Sequence, residues 1–326
     1  KHMETLQSHL MHLYFLVAPD YLGAGSVLPL IETRPDEVQR AARLKLLAND
    51  ACDLIGGRRL HPTRTVVGGF TMLPEKAELN LLRQRLVAAL ADLDRTADLF
   101  ASFTVPGFTR ETEFVSLRGE NDYPFIGGDL MSSDGVRKKE DEYEQMGQDC
   151  SVAQSPAKWS RLSRSSFAVG ALARVNNNFH LLHPRAREVA ERLRLAPVVH
   201  NPFLHPAAQL VECVHVAADA AELVERLLAM DFGQARSQVV PREGRGVGAV
   251  EVPRGILYHM YEFDARGRIV RADCVIPTSQ NHANIQDDLT ALAAESARQG
   301  LADQEIERLA AMLVRAYDPC ISCSVH

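Results

Sequence analysis

A mainly α fold with a small β component, in the α+β class, follows from three features of the sequence. Long stretches repeat apolar residues every three or four positions. Capping and breaking residues bracket most of them. One region near the C-terminal third switches to two strand-like runs around a tight turn.

The opening segment, 1–18, places Met3, Leu6, Leu10, Leu13 and Leu16 on one helical face, but no capping residue precedes it. The chain is therefore expected to start inside an element, with the functional polypeptide extending upstream of Lys1. A second helix is expected over 35–55. It is entered through Pro-Asp-Glu, whose carboxylates suit the positive helix start, and is stopped by Gly56-Gly57. A third spans 75–103. Over 104–135, Gly, Pro, Asp and Asn punctuate short extended pieces, as at Tyr123-Pro124 and Gly127-Gly128-Asp129, and 138–144 reads as a charged surface segment. Further helices are expected at 184–195, 207–230, 284–298 and 302–317. Between the second and third of these lies a hairpin: Gly255–Phe263 is strand-like, Asp264-Ala265-Arg266-Gly267 turns, and 268–276 returns.

The 326 residues are 46% hydrophobic and 24% charged, enough apolar material for a substantial core. With a net charge of -6 and scattered arginines, no nucleic-acid surface is expected. No apolar run reaches the roughly 18 residues of a membrane span, and the polar start offers no signal-peptide block, so a cytoplasmic protein is expected. Six cysteines, Cys52, Cys150, Cys213, Cys274, Cys320 and Cys323, are too few and too dispersed for a disulfide framework, and the first four read as small buried hydrophobes.

Cys320 and Cys323 form a Cys-x-x-Cys pair, which suits half a zinc site, a redox dithiol or part of another soft-metal site. No second Cys or His pair stands at zinc spacing. A thioredoxin-like dithiol should open a helix after a strand, whereas this pair follows the helix ending in Val314-Arg315-Ala316-Tyr317.

The whole ending, Asp318-Pro319-Cys320-Ile321-Ser322-Cys323-Ser324-Val325-His326, resembles the C-terminal motif of nickel-iron hydrogenase large subunits. Thiolates are soft donors suited to nickel and low-spin iron. The resemblance implies that Cys320 is a terminal nickel ligand and Cys323 a nickel-iron bridge. It also implies that His326, with the backbone carbonyl of Cys274, binds a separate magnesium or iron ion. In that family a maturation protease cuts immediately after this histidine.

Other segments are similar to the same family. In Glu251-Val252-Pro253-Arg254-Gly255-Ile256-Leu257 the arginine would lie over the metals, where a guanidinium can polarise dihydrogen or bond a cyanide on iron. Taken alone, Pro253-Arg254-Gly255 reads as a strand entrance with a surface arginine. In Cys274-Val275-Ile276-Pro277-Thr278-Ser279-Gln280-Asn281 the Thr278 hydroxyl would donate to cyanide, and Leu257, Ile276 and Pro277 would form a dry wall; taken alone, Thr278 is a turn residue after proline. Gln7-Ser8-His9, Gly68-Gly69-Phe70 and Val169-Gly170-Ala171-Leu172-Ala173-Arg174-Val175-Asn176-Asn177 extend the similarity across the chain. They look most like α subunits of cytoplasmic NADP-linked hydrogenases, also called sulfhydrogenases. His9 also suits a satisfied core histidine.

The resemblance implies one large-subunit domain over 1–326 whose first metal-ligand segment, a Cys-x-x-Cys, lies upstream. It implies reversible heterolytic cleavage of dihydrogen at a nickel-iron centre with carbon monoxide and cyanide ligands, with Arg254 and Asp318 setting the electrostatics. Electrons would pass to an iron-sulfur small subunit and on to a flavoprotein (diaphorase) subunit carrying flavin and NAD(P). Gln154, where the family often has His, departs from the pattern. Gly244-Arg245-Gly246-Val247-Gly248 lacks the setting of a nucleotide loop and reads as a flexible turn. The alternatives are a hydrogenase-like structural subunit or inactive fragment without the metal centre, and a zinc-binding module.

Overall fold

Helical periodicity is realised first in the segments that open the chain. In the computed structural model, which describes residues 1–153 and 155–325, His2–His12 runs through a wider π turn, Leu13–Val17, into Ala18–Tyr21. Pro35–Gly56 follows, with Pro35, Asp36 and Glu37 in its first turn and the left-handed Gly57 as its C-cap. Lys76–Ala101 is opened by a capping box in which the Glu75 backbone N–H donates to Glu78 at 3.1 Å. Leu79, Leu82, Leu86, Leu93 and Phe100 are its buried stripe. Tyr14 ties these three helices together: its hydroxyl lies 2.6 Å from that of Thr96 and accepts from Arg40 Nε at 2.9 Å. The charged partner strengthens the second bond.

The chain divides into two compact units, and these helices, with His183–Leu193 and Leu210–Pro241, form the first. Within it His9, read as a core histidine, meets Glu212 at 2.8 Å with both side chains fully buried. Gly69 needs its open conformation because a Cβ there would lie 2.2 Å from the Ala235 carbonyl oxygen.

The second unit comprises Thr104–Leu182, Arg194–Gln209 and Arg242–His326, with His326 outside the described residues. Glu113–Arg118 pairs antiparallel with Asp129–Ser132 and parallel with Phe167–Ala168, and Arg137–Lys138 completes that sheet. A second sheet has the expected hairpin, Gly255–Phe263 with Ile269–Val275, and a third antiparallel strand, Gly244–Val252. That strand corrects the reading of 244–248 as a flexible turn. Its backbone pairs with 259–263 through ladder bonds that need no side chains, so its glycines leave little sequence signal. Val115, Leu117, Phe167, Ile256, Tyr258 and Met260 belong to one buried cluster, with Tyr143 packed on Tyr258 at 5.5 Å between ring centres. Tyr143 therefore anchors the segment read as charged surface.

The helix expected from 284 begins earlier, as Pro277–Arg298, with Pro277 at its first turn and Ile276 as its N-cap. Thr278 thus belongs to a helix start and not to a turn after a strand. Asp303–Ala316 and the short Ile321–Ser324 complete the chain. The mainly α expectation with its small β component is met.

Close backbone approach between two family-like segments depends on Gly255. Its φ is +140°, and a Cβ there would sit 2.3 Å from Val169 Cγ2. Gly255→Ala is expected to cost about 3 kcal/mol through backbone strain and overpacking. Gly107→Ala, with nothing within 4 Å of its Cβ position, should stay within about 0.5 kcal/mol of the parent in urea unfolding. Equal losses in the two variants would show that the contact with Val169 is not tight in solution.

Candidate metal centre

Arg254 sits in the two-residue connection between Gly244–Val252 and Gly255–Phe263. Its Nε donates to the Asp318 carbonyl at 2.7 Å and its Nη2 to Asp318 Oδ1 at 2.9 Å. Among the described residues Nη1 makes no hydrogen bond. Asp318 is only 3% exposed and has φ +52°, a left-handed conformation costing a non-glycine residue roughly 1 kcal/mol. The strained backbone lets its carbonyl and its carboxylate receive one guanidinium. Gln209 Nε2 lies 3.5 Å from the other carboxylate oxygen. Arg254 is therefore a clamped side chain and not a loose surface arginine.

The connection itself is held from behind. Arg174 and Glu251, both fully buried, pair at 2.9 Å. Sequence reading passed over this pair. The sequence marks it only weakly: each charge stands among apolar neighbours, Leu172-Ala173-Arg174-Val175 and Val250-Glu251-Val252, but so does the exposed Arg271 between Val270 and Ala272. At these buried positions a lone charge would be strongly desolvated, so each needs the other.

Cys320 follows Pro319, and its N–H donates to the Thr278 hydroxyl at 3.1 Å. Thr278 can accept in this way and still donate its own proton. The Ser324 hydroxyl donates to the Cys320 carbonyl at 3.2 Å, closing the turn. Cys320 and Cys323 are bonded to each other, with Cα atoms 5.3 Å apart. As ligands they would act as two thiolates, so the bonded sulfurs stand for two soft donors brought to one point. Cys323 is exposed and Cys320 half-buried, and Cys320 is the N-cap of Ile321–Ser324. The pair thus does open a helical turn, but after a helix and a short irregular link.

Thr278, Arg254, Asp318 and Cys320 are accordingly linked by direct hydrogen bonds or chain connection. Pro277 is buried, while Pro253, Leu257 and Ile276 are half-buried. Gln280 Nε2 donates to the Ile256 carbonyl at 2.7 Å, binding the helix start to the strand after Arg254. Cys274 lies opposite His259 in the ladder, its sulfur 3.9 Å from Nε2, and burial pushes its thiol pKa up. Of the four cysteines read as buried, Cys52 and Cys213 are, whereas Cys150 and Cys274 are half-buried on strands. His326 and Gln154 lie outside the described residues.

A second polar cluster supports the approach to the cysteines. Arg110 pairs with Asp288, Tyr317 donates to Asp288, and Asn284 Nδ2 donates to the Tyr317 hydroxyl at 2.7 Å. Burial raises the Asp288 pKa and places that of Tyr317 well above its usual value.

A profile for nickel-dependent hydrogenase matches residues 130–326. Sulfhydrogenase 1 subunit alpha of Pyrococcus furiosus is 35% identical over 327 residues, covering 99% of this chain and 75% of the relative. The chain belongs to the nickel-dependent hydrogenase family. NAD-reducing hydrogenase HoxS subunit beta of Cupriavidus necator is 28% identical over 368 residues, covering 99% of this chain and 74% of its own. The fold matches a crystal structure of an NAD+-reducing NiFe-hydrogenase in the H2-reduced state with a TM-score of 0.85, at 24% identity, over 100% of this chain and 78% of that one. Family membership makes the chain an oxidoreductase acting on dihydrogen. Among the described residues no helix is long and apolar enough to cross a membrane.

The residues fit a hydrogenase metal in their chemistry: two sulfur donors converge beside a clamped guanidinium and a buried hydroxyl. A different set of ligand-type atoms, His2, His215 and Asp219 in the first unit, also lies within 4.8 Å. Its chemistry is different. His215 Nδ1 accepts from the His183 backbone N–H at 3.0 Å, which places the neutral ring's proton on Nε2. Metal-bound histidines have the reverse arrangement, their second nitrogen donating. His2 Nε2 and Asp219 are 2.6 Å apart, so the cluster is a hydrogen-bonded one.

Burial pushes His215 down to a pKa of about 4 from the usual 6.5. The unfolded chain then binds a proton that folded His215 refuses, so stability is full above about pH 6.5 and falls towards pH 4, by an order-of-magnitude ~3 kcal/mol. Asp219, lowered chiefly by its bond to His2, contributes in a separate window below its usual 3.8. His215→Gln, whose amide oxygen can accept from His183, is expected to unfold with a smaller change in stability between pH 7 and pH 5. A variant with the parent's slope would assign that pH dependence to other groups.

Proposed function

We propose that this chain is a hydrogenase catalytic subunit that cleaves dihydrogen reversibly and heterolytically, with Cys320 and Cys323 as two of the sulfur ligands of a nickel-iron centre. The observation that carries this reading is the double hydrogen bond between Arg254 and Asp318 immediately before the two convergent sulfurs. When bound, the nickel-iron centre supplies the splitting of dihydrogen.

The protein groups have separable tasks. Asp318 engages Nε and Nη2 of Arg254, which fixes the plane of the guanidinium and leaves Nη1 to polarise dihydrogen or bond a cyanide. Arg254 acts as a hydrogen-bond donor, since a guanidinium has five N–H groups and no acceptor. The net charge of the Arg254–Asp318 pair is zero, so it orients a dipole without adding a full charge beside the thiolates. Thr278 accepts from Cys320 N–H and offers its own hydroxyl proton to a diatomic ligand. Pro253, Leu257, Ile276 and Pro277 restrict water on that side.

Carbon monoxide and cyanide on iron belong to the same reading, as does a magnesium or iron ion at His326 and the Cys274 carbonyl. Electrons would leave through an iron-sulfur small subunit towards flavoprotein subunits and NAD(P). The relatives' names, sulfhydrogenase alpha and NAD-reducing hydrogenase beta, support a multi-subunit assembly of this kind. A maturation protease would act after His326, and a cytoplasmic location suits these soluble partners.

In the assembled enzyme, Cys320→Ser and Cys323→Ser are each expected to abolish nickel-dependent dihydrogen uptake and lower nickel content, since a hydroxyl is a harder and less acidic donor. Cys213→Ala, at a fully buried position, should keep both. Normal uptake in either serine variant would sink the ligand assignment, and metal-free protein with full activity would sink the whole reading.

Arg254→Lys should retain metal and fold but reduce turnover by a factor on the order of a hundred, the effect of losing one preorganised donor. Lysine keeps the charge but cannot span the Asp318 carbonyl and carboxylate together. Unchanged turnover at full metal occupancy would reduce Arg254 to a structural residue of the strand connection.

A further inference from the structure

We propose that Arg174 is a positioning residue for Arg254, acting through the backbone immediately before it; this rests on the reading of Arg254 as a catalytic residue. Arg174 Nη1 donates to Glu251 Oε2 and to the Val252 carbonyl, both at 2.9 Å, and Nη2 donates to the Pro253 carbonyl at 3.1 Å. One rigid planar group thus gathers acceptors from three consecutive residues ending next to Arg254.

The anchor extends in both directions. Glu251 Oε1 accepts from the Leu117 N–H at 2.8 Å, tying the assembly to Glu113–Arg118. Arg174 belongs to the helix Ala171–Asn178, whose N-cap, Gly170, has its Cβ position 3.1 Å from the Arg254 carbonyl oxygen. Val169, just before it, packs on Gly255 and donates its N–H to Asn281 Oδ1 at 2.8 Å. The peptide groups before and after Arg254 are therefore both constrained by the same short segment, 169–174. With the backbone fixed, Asp318 has only the side-chain torsions of Arg254 left to set.

Stability alone does not account for this choice of residues. A buried ion pair is commonly matched or bettered by apolar side chains of similar volume, because desolvating both charges offsets their attraction. What an apolar pair lacks is the ability to aim two carbonyls. A guanidinium supplies five N–H groups in a plane, matched to spread acceptors, whereas a lysine concentrates three on one atom.

The test is a double-variant cycle in the assembled enzyme with Arg174→Lys, Arg254→Lys and both together. Arg174→Lys is expected to lower kcat about tenfold or more, as small misplacements of a catalytic group do, with KM for dihydrogen within about twofold. In the Arg254→Lys background the same change should lower kcat by less than about twofold, because its effect runs through Arg254. The melting temperature should fall by the same amount in both backgrounds. A crystal structure of R174K provides the readout apart from turnover: the bond between Arg254 Nη2 and Asp318 Oδ1 is expected to lengthen or break. Should R174K not fold, Glu251→Asp, which withdraws the carboxylate by one methylene, carries the same cycle and the same crystal measurement. Equal kcat losses with Arg or Lys at position 254, or an undisturbed bond to Asp318 with kcat unchanged, would overturn the proposal. Full turnover in R254K alone would instead overturn the role given to Arg254, and the crystal geometry would still decide whether Arg174 positions it.

Discussion

Two opposite charges with no exposure to water, Arg174 and Glu251, set the geometry of the second unit. Each would cost several kcal/mol to bury alone, so neither position tolerates loss of its partner. The pair joins the helix Ala171–Asn178, the strand Glu113–Arg118 through Leu117 N–H, and the end of Gly244–Val252. Around it lies an apolar cluster with Val115, Leu117, Ile256, Tyr258 and Met260. Such a cluster stabilises by burial, but dispersion and the hydrophobic effect are weakly directional. Directed hydrogen bonds fix which carbonyl faces which donor, and so where Arg254 emerges.

The cysteine pair is held in a different way. Ile321–Ser324 is a single turn with exposed Ile321 and Cys323. It is tethered by the Cys320 N–H to Thr278 and by the Ser324 hydroxyl to the carbonyls of Cys320 and Ile321. A turn this short has almost no stability of its own. Its sulfurs are located by what precedes them: Tyr317, buried in the network with Asp288 and Asn284, and Asp318, clamped by Arg254. Metal bonds would then supply the remaining order, as coordination usually does where ligands lie on a weakly structured segment.

Much of this architecture was legible in the sequence, for reasons that differ by element. Pro35–Gly56 and Lys76–Ala101 were readable because each is a long amphipathic helix with its own start signals. Gly255–Phe263 and Ile269–Val275 were readable from a turn between strand-like runs. Gly244–Val252 was not, because its first half has alternate glycines and only backbone pairing defines it. The start of Pro277–Arg298 was misplaced because proline both ends strands and opens helices, and only the neighbouring fold chooses. Tyr143 was hidden in a run of charges, since one aromatic residue has no periodicity.

For the candidate site, residue chemistry and tertiary wiring separate cleanly. The terminal cysteines and Arg254 stand in contiguous motifs, so a resemblance can reveal them. Arg174 and Glu251 are 77 residues apart, and no local pattern states that they meet. The fold shows each in a place where water does not follow. A buried charge calls for a partner, and two of opposite sign in one unit are each other's natural candidates. The pair stands behind the backbone that precedes Arg254, where a neutralised guanidinium aims two carbonyls without adding a net charge.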